Sequence, residues 1–523
     1  MESKGEKQIL DIQDKLHAFC NQFDNIYLYG AGKIAESYLK ILHFFNKKPK
    51  GVIVSNVDVS NFHGLPIYDA EHARRLVDNK CGVIAAFMGA SKDMILEHIG
   101  REISVFCLPD DESCALINSF DVVPFLEELS TTYVKGEVIK KDNWHRILVI
   151  RLDVLGDLIM TTAFIRELHN NCPNAEITLV VHKHNYYLFK ECPYVSNLIL
   201  YDGPIVRGHL DAQFSRLSEI EQRVQSFRDQ YWHELQDYDI VFLPCILLRG
   251  VNSLETFMLA LSSPAKSLVG RVNSFRMDER ILYPYLNEIF SVISYEEEEK
   301  HEVQYMLDML GKCGGIINDE SIELWCDDIA EEFANNIIPR MRNKRTYYIA
   351  LGLVGSSLNR NWPIENYREF GLKLMENGAN DLNVSIVLFG GKEAIESAAC
   401  FMKDLPTMYK EKVVNMTGKT SLIQALALMK HCDLYVGADT GLMHMAAACG
   451  LPVVELSVAL PDCTIAEGGS PKRMGPWNVR SIVLQPKVGL DGCRKQCKQN
   501  RSHCIKQIGV DEVLNATINL LRH

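Results

Sequence analysis

Three times along this chain a short apolar run ends at a turn and passes into a helical stretch. Residues 25–29 form the first run, closed by Gly30-Ala31-Gly32; residues 146–151 form the second and 347–352 the third. A strand-length apolar run followed by a helical pattern reads as a βα series, since a parallel strand buried on both faces needs helices to cover it. The chain is therefore expected to be α/β. The first series predicts further strands at 51–55 and 82–87 and fades by about residue 130; the charged stretch 133–144 reads as a linker. The second predicts strands at 146–151, 176–181 and 239–243, with a charged helical insertion at 213–235. Its acidic run 296–299 reads as the solvated start of a helix to residue 310, where the helix dipole favours carboxylates. The third predicts strands at 347–351, 385–389, 434–436 and 453–456. Domains at 1–132, 145–338 and 339–523 follow, as suits 523 residues. Ligands on such sheets bind at the carboxyl ends of the strands.

Composition narrows the function. Lys and Arg total 55 against 67 Asp and Glu, a net charge of −12, which argues against nonspecific nucleic-acid binding. No window of about 18 uncharged apolar residues predicts a membrane span. The polar start MESKGEKQILDIQDKL lacks the apolar core of a secretory signal. Sixteen scattered cysteines fit a reducing compartment better than a disulfide framework. The expected location is the cytoplasm.

Three stretches carry candidate chemistry. In Arg151-Leu-Asp-Val-Leu-Gly156-Asp157 a strand ends and a helix is expected to begin at Asp157. Its carboxylate stands at the mouth of a cleft, where a general base belongs. The competing reading is an ordinary helix cap, and a helix dipole makes a carboxylate a weaker base unless desolvation opposes it. In Gly352–Glu365, Gly355 and Ser356 can bring amides and a hydroxyl to a phosphate, and Arg360 adds a planar donor fork; a solvated loop is the alternative. In Val436–Pro452 a strand ends at Asp439, and Thr440-Gly441 opens a helix closed by Gly450. Free amides at such a start suit a diphosphate, and His444 lies one turn on, on the face of Thr440.

Together, and in this order, these stretches resemble glycosyltransferase family 9, typified by the ADP-heptose:lipopolysaccharide heptosyltransferases. The matching segments are ILVIRLDVLGDLIMTTAFIRELHNNCPNAEITLVV, YDIVFLP, RNWPIENY, VLFGGKE and VGADTGLMHMAAACGLPVV, and the similarity covers residues 145–523. The resemblance implies a GT-B fold, with an acceptor-side half at 145–338 and a nucleotide-sugar half at 339–523. It implies Asp157 as the base that deprotonates the acceptor hydroxyl. It implies donor contacts from Ser356, Arg360, Glu393, Asp439, Thr440, Gly441 and His444. The implied reaction is an inverting, metal-independent transfer that needs no cofactor. ADP-heptose is the implied donor and a lipopolysaccharide or other surface glycan the acceptor, with peripheral contact at the inner membrane. Residues 455–462 depart from the family in lacking a glycine just after that strand.

Two further features stand outside the resemblance. Gly30-x-Gly32-x-x-Ala35 after a strand is a weakened dinucleotide fingerprint, with Ser55-Asn56 where a ribose-binding acid is expected. This Rossmann-like unit is read as a noncatalytic accessory. Cys493, Cys497 and Cys504, with His503 adjacent, could form a metal clip, but the spacing fits no standard knuckle and reduced, unliganded thiols are expected. Other functions compatible with the residues are a transferase that glycosylates a protein, an NAD-linked oxidoreductase using the N-terminal fingerprint, and a scaffold with an inactive transferase fold.

Overall fold

The computed structural model describes residues 4–522 apart from 32, 55–61, 77–79, 88–91, 101–102, 110–111, 114–115, 118–125, 128, 131–133, 204–216, 247–250, 274–282, 340–345, 356, 378–381, 466–468, 491–492 and 498. Parallel pairing dominates. Strands β1 (Asn25–Tyr29), β2 (Gly51–Val54), β3 (Ile67–Asp69), β4 (Cys81–Ala85) and β5 (Ser104–Phe106) form a parallel sheet in the order β3-β2-β1-β4-β5. Further on, β6 (Arg146–Arg151) pairs with β7 (Glu176–His182), and β7 with β8 (Asn197–Tyr201), all parallel. Likewise β9 (Ile240–Ile246) pairs with β10 (Ser267–Asn273), and β10 with β11 (Val292–Glu296). The last sheet has β12 (Thr346–Gly352), β13 (Asn383–Phe389), β14 (Val413–Asn415), β15 (Leu434–Ala438), β16 (Val453–Leu456) and β17 (Ser481–Leu484), parallel in the order β14-β13-β12-β15-β16-β17.

The described chain divides into two compact units, residues 1–139 with 203–297 and residues 140–202 with 298–523. In the first, Gly30 follows β1 where the strand order of the N-terminal sheet reverses between β1 and β4. Its φ is +114°, its amide donates to the Ile53 carbonyl at 2.8 Å, and a Cβ there would stand 2.8 Å from the Ala86 carbonyl oxygen. Only glycine fits such a position without strain. Gly32, the second glycine of the fingerprint, and Ser55-Asn56 lie outside the described residues.

In the second unit the β12–β17 sheet separates two cores by strand alternation. Ile349, Leu351, Ile386, Leu388 and Val436 pack with Trp362, Tyr367 and Phe370 on one face. Ala350, Val387, Phe389, Tyr435 and Val453 pack with Met443, Ala446 and Leu428 on the other. The order of this sheet reverses between β12 and β15, so the segments leaving those two strands flank its switch point. Those segments hold Arg360 and Asp439. Helices that matter below are α1 (Leu155–Asn171), α2 (Glu302–Lys312), α3 (Ile364–Asn377), α4 (Gly441–Ala448) and α5 (Val510–Arg522).

The acidic run behaves differently from expectation. Glu296 ends β11, buried, 3.3 Å from the guanidinium of Arg271. The helix starts only at Glu302, because His301 takes an extended conformation and forms a capping box with Gln304. The cap, and not the run of carboxylates, sets the boundary.

Trp362 ties the sheet's first core to the C-terminal segment. It is 2% exposed, donates from Nε1 to the Ile508 carbonyl at 3.0 Å and packs edge-on against Tyr367. Trp362→Ala is expected to destabilise this unit by about 3–5 kcal/mol. Urea unfolding followed by circular dichroism measures it, and a loss under about 1 kcal/mol would show that the contact is dispensable.

Candidate active site

The site is assembled inside the second unit from the ends of β6, β12 and β15. Where β6 ends, the chain enters α1 through Val154, whose backbone is extended and which offers no side-chain cap. The helix thus begins at Leu155, two residues before the expected start. Asp157 lies inside the first turn and not at the cap, so the capping explanation for this carboxylate does not apply.

Its carboxylate meets a buried charge cluster instead. Arg151, 2% exposed, places Nε 3.0 Å from Asp153 Oδ2 and Nη2 3.6 Å from Asp157 Oδ1 and 3.9 Å from Glu302 Oε1. Glu302 opens α2 and receives Arg473, whose Nε and Nη2 lie 2.9 and 2.8 Å from Oε2. Arg473 in turn covers the Tyr305 ring. Two guanidiniums face three carboxylates, so the cluster carries one excess negative charge. Burial pushes the Asp157 carboxyl up to about 6, the charge of Asp153 adds to it, Arg151 opposes it, and Glu302 and His444 add smaller effects of opposite sign. Desolvation therefore outweighs the helix dipole. A carboxylate in this range is still ionised at neutral pH yet is a stronger base than an exposed aspartate.

His301 supports the same corner. Burial lowers its imidazole to about 4, so it is neutral at pH 7. Nδ1 accepts from the Val303 amide at 3.2 Å, leaving Nε2–H to donate to the Gly475 carbonyl at 3.0 Å, and the ring stacks on Trp477.

Across the helix packing lies a second group. Asp439 follows β15 and bridges two basic side chains: Arg360 Nη1 is 3.1 Å from Oδ2 and 2.7 Å from the Asp439 carbonyl, and His444 Nε2 is 3.6 Å from Oδ1. Burial works against ionisation of Asp439, but Arg360 and His444 prevail and hold the carboxyl below its ordinary value. The Arg360 side chain stays about 30% exposed, so it is still within reach of a ligand. Thr440 is the cap residue of α4, extended and without a side-chain bond to the helix amides. His444 is 2% exposed, and its Nδ1 has no hydrogen-bond partner among the described residues.

Two glycines bring the halves into contact. A Cβ at Gly156 would lie 2.7 Å from His444 Cδ2, and one at Gly441 would lie 2.5 Å from Leu155 Cδ2. The first turns of α1 and α4 thus touch through positions that admit no side chain, which sets the first turn holding Asp157 against the imidazole of His444.

The structure brings together Asp157, Arg360, Asp439, Thr440, Gly441 and His444. Ser356 lies outside the described residues, although neighbouring Gly355 donates to Asn361 Oδ1 at 2.7 Å beside Arg360. Glu393 is exposed after β13, its Oε1 accepting from the Gly391 amide at 3.1 Å. Gly30 belongs to the other unit. Cys493, Cys497 and Cys504 converge with His503 in a separate cluster. Sequence reasoning missed Glu302, Arg473 and Glu455. Glu455, on β16, is 1% exposed, and burial, followed by the charge of Asp439, raises its carboxyl well above the ordinary range. An ionisable residue inside an apolar strand was the available signal for Glu455; nothing local marked the other two.

A model of glycosyltransferase family 9 (heptosyltransferase) matches residues 274–502. Lipopolysaccharide heptosyltransferase 2 of Escherichia coli K12 is 34% identical over 106 residues, a stretch that spans 20% of this chain and 29% of that protein. The match therefore covers less than a third of that relative's length. Among solved structures, a family 9 glycosyl transferase from Veillonella parvula superposes with a TM-score of 0.56 at 19% identity, covering 73% of this chain and 98% of its own. The E. coli ADP-heptose lipopolysaccharide heptosyltransferase II gives 0.51 at 19%, covering 72% and 98%. The α/β architecture is thus the GT-B fold, preceded by the five-stranded sheet of β1–β5, and residues 274–502 are similar to glycosyltransferase family 9.

Proposed function

We propose that this protein is an inverting glycosyltransferase that moves heptose from ADP-heptose to a lipopolysaccharide or other surface-glycan acceptor at the cytoplasmic face of the inner membrane. Residues 145–338 supply the acceptor side and 339–523 the donor side, with 1–132 as an accessory domain. The observation that carries this reading is the contact between the first turns of α1 and α4, which sets a carboxylate of raised pKa beside the Arg360–Asp439–His444 group. The donor identity rests on the match of residues 274–502 to the family 9 model and on the ADP-heptose named for the E. coli fold relative. No helix among the described residues is long and apolar enough to cross a membrane, which suits a peripheral enzyme.

In this mechanism the Asp157 carboxylate accepts the proton of the acceptor hydroxyl. The oxygen attacks the anomeric carbon as the bond from that carbon to the diphosphate oxygen breaks, and the configuration inverts. Arg360 and the unpaired amides at the start of α4 take up the charge that develops on the leaving diphosphate, where preorganised donors act most strongly. With these groups in place the chemical step needs no metal. Asp157 then returns its proton to solvent.

Asp157→Asn is expected to lower kcat by about 10²–10⁴-fold while leaving the Kd for ADP within about twofold. Steady-state assays and calorimetry measure the two; unchanged turnover would remove Asp157 from the chemistry. Below pH 6 the base is protonated and cannot accept another proton, so kcat/KM should rise through about 6 and level off above it. Asp153→Asn removes a charge that raises the Asp157 pKa, so the rising limb should move to lower pH, by about half a unit to one unit. A limb that stays in place would assign it to another group. Arg360→Ala should weaken ADP binding roughly 10- to 100-fold through lost charge-assisted bonds, with little effect on the pH limb; unaltered ADP affinity would contradict the donor assignment.

A further inference from the structure

Outside the catalytic cluster, the most concentrated set of metal-ligating side chains among the described residues is Cys493, Cys497, His503 and Cys504. Their ligand atoms all lie within 4.8 Å of one another. His503 Nδ1 is 3.8 Å from Cys493 Sγ, 3.6 Å from Cys497 Sγ and 3.3 Å from Cys504 Sγ. All four residues are less than 9% exposed, and the three cysteines are unbridged.

We propose that these four residues bind one tetrahedral transition-metal ion, zinc by default, in a structural Cys3His site that holds the Arg360 loop in place. The spacing supports it: metal–sulfur bonds of about 2.3 Å and metal–nitrogen bonds of about 2.0 Å place tetrahedral ligands roughly 3.5–3.8 Å apart. The three sulfur–nitrogen separations, 3.8, 3.6 and 3.3 Å, lie close to that range, and no pair of ligand atoms is more than 4.8 Å apart. A disulfide accounts for the arrangement less well, since it would use two sulfurs and leave the third beside the imidazole. The surroundings also suit thiolates. The amides of Cys504 and Gln499 point to Cys497 Sγ, and that of Leu490 points to Cys504 Sγ. Such outer contacts orient and stabilise metal-bound sulfur. Four protein ligands leave no open position, so the site is structural and takes no part in the chemical step.

What the ion would hold is visible in the hydrogen bonds. The Cys497 amide donates to the Val458 carbonyl at 3.1 Å and the Leu460 amide to the Lys495 carbonyl at 2.7 Å, which ties the cysteine segment to the chain leaving β16. The Cys497 carbonyl accepts from Asn359 Nδ2 at 2.7 Å, and Asn359 precedes Arg360 in a single 3₁₀ turn. Beyond the cluster, the Cys504–Gln507 turn leads to Ile508, the partner of Trp362 Nε1. The described residues between 485 and 503 form no helix and no named strand, so a clip of this kind would set their conformation. The effect on Arg360 rests on its proposed role as a donor ligand; metal binding itself does not.

Plasma-source mass spectrometry of the full-length, tag-free protein, purified without chelator, tests the site. About one equivalent of zinc or iron is expected, falling below roughly a tenth in Cys497→Ser and Cys504→Ser. Should either variant fail to fold, chelator-stripped wild-type protein under reducing conditions gives the answer: cobalt(II) added to it should develop the ligand-field and thiolate charge-transfer bands of a tetrahedral site. Native protein without metal, whose stripped form also binds neither cobalt nor zinc, would overturn the proposal. Removal of the metal should also weaken ADP binding by about tenfold in wild-type protein and by less than twofold in Arg360→Ala, as expected of an effect passed through that loop. Equal losses in both would overturn the link to Arg360, while the metal count would still judge the site.

Discussion

A guanidinium taken out of water demands carboxylates around it, and the buried Arg151 has three. Asp153 and Asp157 come from its own loop and the helix that follows, and Glu302 comes from a helix far along the chain. Glu302 needs a second cation to sit so deep, and Arg473 provides it. Removing one member of such a network leaves a buried charge unpaired, which is why its parts hold one another in register. The same surroundings set the proton affinity of Asp157. Burial first, and then the excess of one carboxylate over the guanidiniums, raise it without neutralising the group.

The Asp439 group repeats the design with the sign reversed. Asp439 has two basic neighbours, Arg360 and His444, and stays ionised despite burial. It thereby fixes Arg360 at the carboxyl end of β12 while the rest of that guanidinium remains accessible. The two clusters meet where Gly156 faces His444 and Leu155 faces Gly441. In the proposed mechanism, this contact between two helix starts sets the acid–base group beside the groups assigned to leaving-group stabilisation.

How legible was this in the sequence? The long central strands were, because a parallel strand buried on both faces is an unbroken apolar run: β6, β12, β13 and β15 stand out as such. The short strands β3, β5, β14 and β17 span three or four residues, are partly exposed and carry no such signal. The start of α1 at Leu155 differs from the expected Asp157 because Val154-Leu155-Gly156 holds no capping residue to mark it; Leu155 packs on Gly441, a tertiary contact that leaves no local trace. The pairing of Glu302 with Arg473 joins residues 171 positions apart, so no spacing rule could reach it. The Asp439–His444 constellation was readable because its members share one turn-and-helix segment. The cysteines were noticed by spacing, but only the fold shows that His503 turns Nδ1 toward all three sulfurs.

The central claim is that the Arg151 cluster tunes the carboxyl of Asp157. Carbon-13 NMR of protein labelled at aspartate carboxyls reads that group directly, with Asp157→Asn identifying its signal. The account predicts one aspartate resonance that titrates near pH 6 in the wild type and is missing from the variant. If the Asp157 signal titrated in the ordinary range near 4, the electrostatic basis for its role as a base would be contradicted.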